Sequence, residues 1–181
     1  REKTMPIFAY MEEIKLDYED NGIRLLTAFE EIARLDTALL NDYMILACDH
    51  GKLDVDVNGT KRHLEIWETL ILPPHTRLNN YMVSPNVRCD MAMISTDMAK
   101  QLLQAHIEEW DRCIYINKTN HIVTDDASRS QFSHYTGLLA FKMQQHDKRY
   151  NKEVMQSIMR CILFDYLELM MRSVPKADLS S

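Results

Sequence analysis

The stretch Asp42-Tyr43-Met44-Ile45-Leu46-Ala47-Cys48-Asp49-His50-Gly51-Lys52-Leu53-Asp54-Val55-Asp56-Val57-Asn58-Gly59-Thr60 decides the fold class. Asp42 to Cys48 reads as a short apolar strand, and Asp49-His50-Gly51 supplies the turn after it. In Lys52 to Val57 the apolar residues Leu53, Val55 and Val57 alternate with polar ones, the period of two expected of a half-buried strand. Asn58-Gly59 tolerates the positive φ angles of a tight two-residue hairpin, so the strand Thr60 to Ile66 returns beside it in a well-specified register.

The same pattern extends outward from this hairpin. Ile23 to Phe29, Glu68 to Leu72, Arg77 to Val83 and Val87 to Ile94 also read as strands, about seven in about seventy residues. Leu72-Pro73-Pro74-His75 stops one strand, because neither proline donates to a ladder, and Ser84-Pro85-Asn86 makes another turn. Short, evenly spaced antiparallel strands imply a sandwich or small barrel.

Near residue 95 the period changes from 2 to 3.6, so a sheet-rich half precedes a helical half and the fold class is α+β. Ser95 or Thr96 caps a first helix ending near Trp110; Ile114-Tyr115-Ile116 and His121-Ile122-Val123 read as brief extended pieces. Thr124 with Asp125 and Asp126 opens a second helix to about Gln145, burying Phe132, Tyr135, Leu138, Leu139 and Met143 and leaving Arg129, Lys142 and Gln144 for solvent. Asn151 caps a third helix reaching about Arg172, and Ser173-Val174-Pro175-Lys176 breaks it. The resulting division is an amino-terminal arm (1–22), a β-barrel half (23–95), a helical half (96–172) and a linker (173–181). The opening Arg suggests a piece of something longer.

Composition excludes several function classes. Among 181 residues, 46% are hydrophobic and 27% charged, which suits a packed core rather than disorder. With 21 Lys and Arg against 27 Asp and Glu the formal charge is -6, so these residues lack the basic surplus needed for direct DNA contact. Only 4 glycines occur, which excludes glycine-rich phosphate loops, and there is no G-x-S-x-G nucleophile motif. No apolar run approaches the roughly 18 residues of a membrane helix, and no signal segment opens the chain, so the cytoplasm is the expected compartment. Cys48, Cys89, Cys113 and Cys161 are scattered, form no C-x-x-C pair and read as free buried thiols.

Three constellations are candidates for a site. His63-Leu64-Glu65 puts a histidine and a carboxylate on one strand face, but a metal centre needs a third ligand from His75 or His121, and the spacing singles out neither; no metal and no cofactor is expected. Arg24, Tyr43, Trp67, Tyr81 and Arg88 stand among apolar strand residues and are candidate lining for a small-ligand pocket in the barrel, where an arginine suits a carboxylate or a hydroxyl cluster. On the third helix Met155, Met159, Ile162, Tyr166 and Leu169 form a stripe with Leu163, Leu167 and Met170 beside it. A stripe this wide is covered on two sides, either by a partner chain in a homodimer or by the second helix within the monomer.

The run from Asp42 to Gly59, followed by Leu70-Ile71-Leu72-Pro73-Pro74-His75-Thr76, resembles the cupin-like amino-terminal domain of AraC-type transcription regulators; Tyr150 to Leu169 resembles that family's final helix. The resemblance implies a jelly-roll half that senses a small molecule, a helical half that dimerises, and DNA binding by helix-turn-helix units beyond the carboxyl end, in a bacterial protein without catalysis of its own. Leu78 and Ile66-Trp67-Glu68 stand where relatives carry a histidine and a Gly-Asp turn, so no sugar or metal specificity carries over. The rival expectations are a cupin-type metalloenzyme around His63 and Glu65, and a stand-alone cupin-like binding protein.

Overall fold

The computed structural model describes residues 5–6, 18–20, 22–26 and 37–174. Its strands are β1 (Met5–Pro6), β2 (Tyr18–Asp20), β3 (Ile23–Leu26), β4 (Thr37–Leu39), β5 (Tyr43–His50), β6 (Lys52–Val57), β7 (Thr60–Glu65), β8 (Glu68–Leu72), β9 (Arg77–Val83), β10 (Arg88–Ile94) and β11 (His121–Val123). The helices are α1 (Thr96–Leu103), α2 (Ile107–Asp111), α3 (Asp126–Met143) and α4 (Asn151–Arg172). Phe29 and Pro175 onward lie outside the described residues.

The strands form two sheets, ordered β1-β4-β9-β6-β7 and β11-β8-β5-β10-β3-β2, antiparallel except for β1 beside β4. The hairpin at Asn58-Gly59 pairs Val57 with Thr60, as its turn chemistry requires. The other turns carry the chain from one sheet to the other: Gly51 joins β5 to β6, Ile66-Trp67 joins β7 to β8, the two prolines join β8 to β9, and Ser84-Pro85-Asn86 joins β9 to β10. This alternation makes the strands a cupin-like jelly roll. Gly51 is needed at its corner: φ is +74°, and a Cβ there would stand 2.8 Å from the Val87 Cα.

The six-stranded sheet is a middle layer with both faces covered. On β5, Met44, Leu46 and Cys48 point into the space between the sheets, while Tyr43, Ile45 and Ala47 point to the helices. On β10, Cys89, Met91 and Met93 alternate in the same way with Ala92 and Ile94. The unbroken apolar run from Tyr43 to Cys48 is therefore a strand buried on two sides, and the described residues form two cores that share one sheet.

The helical half departs from expectation at its start and its corner. Ser95 caps α1, its hydroxyl accepting from the Met98 N–H at 3.1 Å. The helix stops at Leu103, because Gln104 takes a φ of +53°, and α2 follows after a 3₁₀ turn. Arg112–Ile116 is a π-helical turn rather than an extended piece: docking Cys113 and Ile114 into the core outweighs the strand propensity of Ile114-Tyr115-Ile116. Asp125, not Thr124, caps α3, accepting from the Ser128 N–H at 2.8 Å. Asn151 does not cap α4; its amide donates to the Lys142 carbonyl and ties the start of α4 to the end of α3.

Met155, Met159, Ile162 and Tyr166, expected at an intersubunit seam, are each no more than 3% exposed within the single chain, and Leu169 packs at the edge of the same core. This corrects the seam: the stripe is wide because one side of α4 meets the six-stranded sheet while α1 and α3 flank it. Burying a side chain such as Met159, Ile162 or Leu163 contributes about 1.5–3 kcal/mol. No helix among the described residues is long and apolar enough to cross a membrane.

Candidate functional site

The junction of the middle sheet and α3 holds a polar cluster centred on the buried Arg129. Arg129 is 3% exposed, not solvated as its charge suggested. Along α3 it stands in phase with Phe132, Thr136, Leu139 and Met143, all buried, so helical geometry delivers it to the sheet. Its Nε donates to the Cys48 carbonyl at 3.3 Å, and one terminal nitrogen reaches Asp49 at 3.3 Å and Asp90 at 3.6 Å. Asp90 also accepts from the Ser133 hydroxyl at 3.1 Å. The guanidinium lies over the Phe132 ring, which meets Tyr166 edge-on at 5.3 Å.

The cluster continues to α4. The Tyr166 hydroxyl hydrogen-bonds Thr69 of β8 at 3.3 Å, and burial pushes that phenol up to about 12. One arginine and one tyrosine thus fasten α3 and α4 to β5, β10 and β8. A buried guanidinium needs such partners, because an unpaired charge in the core would cost several kcal/mol.

The five candidate pocket residues are not brought together. Arg24 shares the inward face of β3 with Leu26, and its guanidinium lies 4.0 Å from Asp42. Tyr81 packs against the inter-sheet core, where burial pushes its phenol upward. Tyr43 points the other way: its hydroxyl donates to Asp111 at 2.7 Å and its ring meets Trp110 edge-on at 6.2 Å, fastening α2 to the sheet. Trp67 is at the β7–β8 corner with a φ of +72°, its carbonyl accepting from both the N–H and the hydroxyl of Thr124. Arg88 is exposed at the start of β10.

His63 sits between two carboxylates. Nδ1 faces Asp54 and Nε2 faces Glu65, so the ring nitrogens are taken by separate partners on opposite edges of the ring. His75 is exposed at its turn and His121 faces Glu68 instead. Among the described residues no group of three or more His, Cys, Asp or Glu is arranged to hold a metal ion. Asp54 first, and then Glu65, raises the His63 pKa above its ordinary 6.5. The charged ring is therefore favoured in the folded protein, a contribution present below the unfolded pKa and lost as pH rises through the folded one. Its NMR titration is expected to fall back toward 6.5 in Asp54→Asn; an unchanged midpoint in that variant would contradict the pairing.

The outer side of the α3–α4 pair is apolar and open. Leu138 and Phe141 on α3 are 44% and 55% exposed, and Val154 and Cys161 on α4 are exposed beside them. A cleft of about 300 Å³ runs between the helices, lined by Tyr135, Leu138, Val154, Ile158 and Cys161 among others.

No family model matches this chain, and no curated protein matches it in sequence. Solved structures do match. An apo ToxT variant from Vibrio cholerae aligns with a TM-score of 0.48 and 10% identity over 87% of this chain and 59% of its own. The AraC-like transcriptional activator CuxR aligns at 0.46 and 8% over 86% and 54%. The Clostridium difficile EutQ protein aligns at 0.30 and 19% over 48% and 85%. These are likenesses of fold. The chain spans a little over half the length of the two regulators it matches.

Proposed function

We propose that this chain is the effector-sensing and dimerisation part of a bacterial, cytoplasmic AraC-like transcription regulator, with no catalysis of its own, and that DNA is bound by a separate helix-turn-helix segment. The observation that carries this reading is the shared middle sheet. Its inner face lines the jelly roll, its outer face carries the helices, and Arg129 ties the ends of β5 and β10 to α3. A small molecule held between the sheets against Arg24 and Tyr81 shifts the strands that Arg129 grips, and the helix pair shifts with them. Such a ligand works by favouring one arrangement of sheet and helices over another, so its effect equals its difference in affinity for the two.

The second copy is proposed to sit on the open outer face of α3 and α4, around Leu138, Phe141, Val154 and Cys161, in place of the buried stripe. A two-fold pairing presents the same apolar strip from both copies, which suits a self-complementary contact. The sequence resemblance supports the same order of parts.

Fusing residues 1–181 ahead of a DNA-binding domain that occupies its operator only as a dimer tests the reading. The fusion is expected to repress a reporter well beyond the isolated DNA-binding domain. Repression equal to that domain alone would overturn it.

A further inference from the structure

Cys48 and Cys89 stand directly opposite each other on β5 and β10, with both side chains in the core between the sheets. Directly opposed residues of an antiparallel pair have Cα atoms about 4.5–5.5 Å apart, within the range of about 4.4–6.8 Å that a disulfide spans. The Cys48 thiol donates to the His50 and Gly51 carbonyls at 3.5 and 3.6 Å. The neighbouring Cys89 and the Arg129 charge lower the Cys48 pKa, whereas Cys48 and burial raise that of Cys89. The ladder shifts register between Arg88 and Cys89, and β5 ends two residues beyond Cys48, so the pair is next to the end of the β5–β10 ladder, where local opening is easiest.

We propose that Cys48 and Cys89 are a dithiol modification site that closes to a cross-strand disulfide on meeting a low-molecular-weight disulfide. The Cys48 thiolate attacks one sulfur of the reagent, forming a mixed disulfide and releasing one small thiol. The Cys89 thiolate then attacks the Cys48 sulfur and releases the second. Two protein thiols are oxidised, one reagent disulfide is reduced, and the two protons leave on the released thiols. The site adjoins the Arg129 clamp: the next residue on each strand, Asp49 or Asp90, is an Arg129 partner, and Arg129 Nε bonds the Cys48 carbonyl itself. Closing the disulfide therefore pins together the two strand ends from which the helix pair hangs.

Cys161 is exposed and will react first, so the test uses Cys161→Ser. The folded protein is incubated with 2-hydroxyethyl disulfide, the remaining thiols are alkylated, and the digest is read by mass spectrometry without reduction. The expected result is a Cys48–Cys89 linked peptide pair carrying no adduct, absent after dithiothreitol. In Cys89→Ala on the same background the reaction is expected to stall as a single adduct on Cys48. Recovery of both cysteines as alkylated thiols, a persistent adduct on Cys48 with Cys89 present, or a link that forms only in denaturant would overturn the proposal.

Discussion

Replacing Arg129 by leucine is expected to destabilise the chain by about 2–3 kcal/mol, although the substitution adds apolar volume to a helix. Breaking a buried ion pair by removing one partner typically costs about 3–5 kcal/mol, because the other charge is left uncompensated. Here Asp49 and Asp90 keep 33% and 22% of their side-chain surface, so water relieves part of that cost. The change also removes the donor to the Cys48 carbonyl and the cation above Phe132. Urea unfolding measures it directly. Adding Asp90→Asn to the leucine variant is expected to recover part of the loss, since one stranded carboxylate is then neutral. Arg172, which makes an exposed ion pair with Glu168, is the control: Arg172→Ala is expected to leave the urea midpoint unchanged. A midpoint for Arg129→Leu equal to the wild type would mean that the cluster does not hold sheet and helices together.

The second large effect concerns association. Sedimentation of the wild-type chain at tens of micromolar is expected to give twice the chain mass, and Leu138→Glu combined with Phe141→Glu is expected to give the monomer. Both side chains point outward, so the substitutions leave the core intact and the circular dichroism unchanged. Four carboxylates brought together across a two-fold contact, each desolvated, should weaken the dimer by at least about a hundredfold, equivalent to about 2.7 kcal/mol. A wild-type chain that stays monomeric at these concentrations would remove the outer face of α3 and α4 as a contact between copies.

The parts of this fold that were legible in the sequence are the local ones. Val57, Asn58, Gly59 and Thr60 carry their own instructions, because a two-residue turn fixes the pairing of the residues on either side. The change of period near residue 95 likewise marks the passage from strands to helices at Thr96. Turn residues alone do not say whether the next strand pairs with the last or crosses to the other sheet. Gly51 and the Pro73-Pro74 pair therefore read as ordinary turns although they are sheet-switching corners.

The buried cluster was hidden for a different reason. Arg129 reads as solvated when judged by charge, yet its phase with Phe132, Thr136, Leu139 and Met143 was available from helical spacing and places it inside. Its partners Asp49 and Asp90 lie 80 and 39 positions away, by subtraction of residue numbers, and no local pattern connects them. The α4 stripe was visible as a feature, but a stripe records only that something covers it. The pairing of Tyr166 with Thr69 across 97 positions shows that the cover belongs to the same chain. Tyr43 was misdirected because a strand buried on both faces gives no alternation from which to choose a side.

The most direct test of the regulator reading is the intact mass of the native polypeptide from its source, read together with its sequence past Ser181. Roughly a hundred further residues, basic overall and carrying helix-turn-helix patterns, are expected after α4. A native polypeptide that ends close to Ser181 would contradict it.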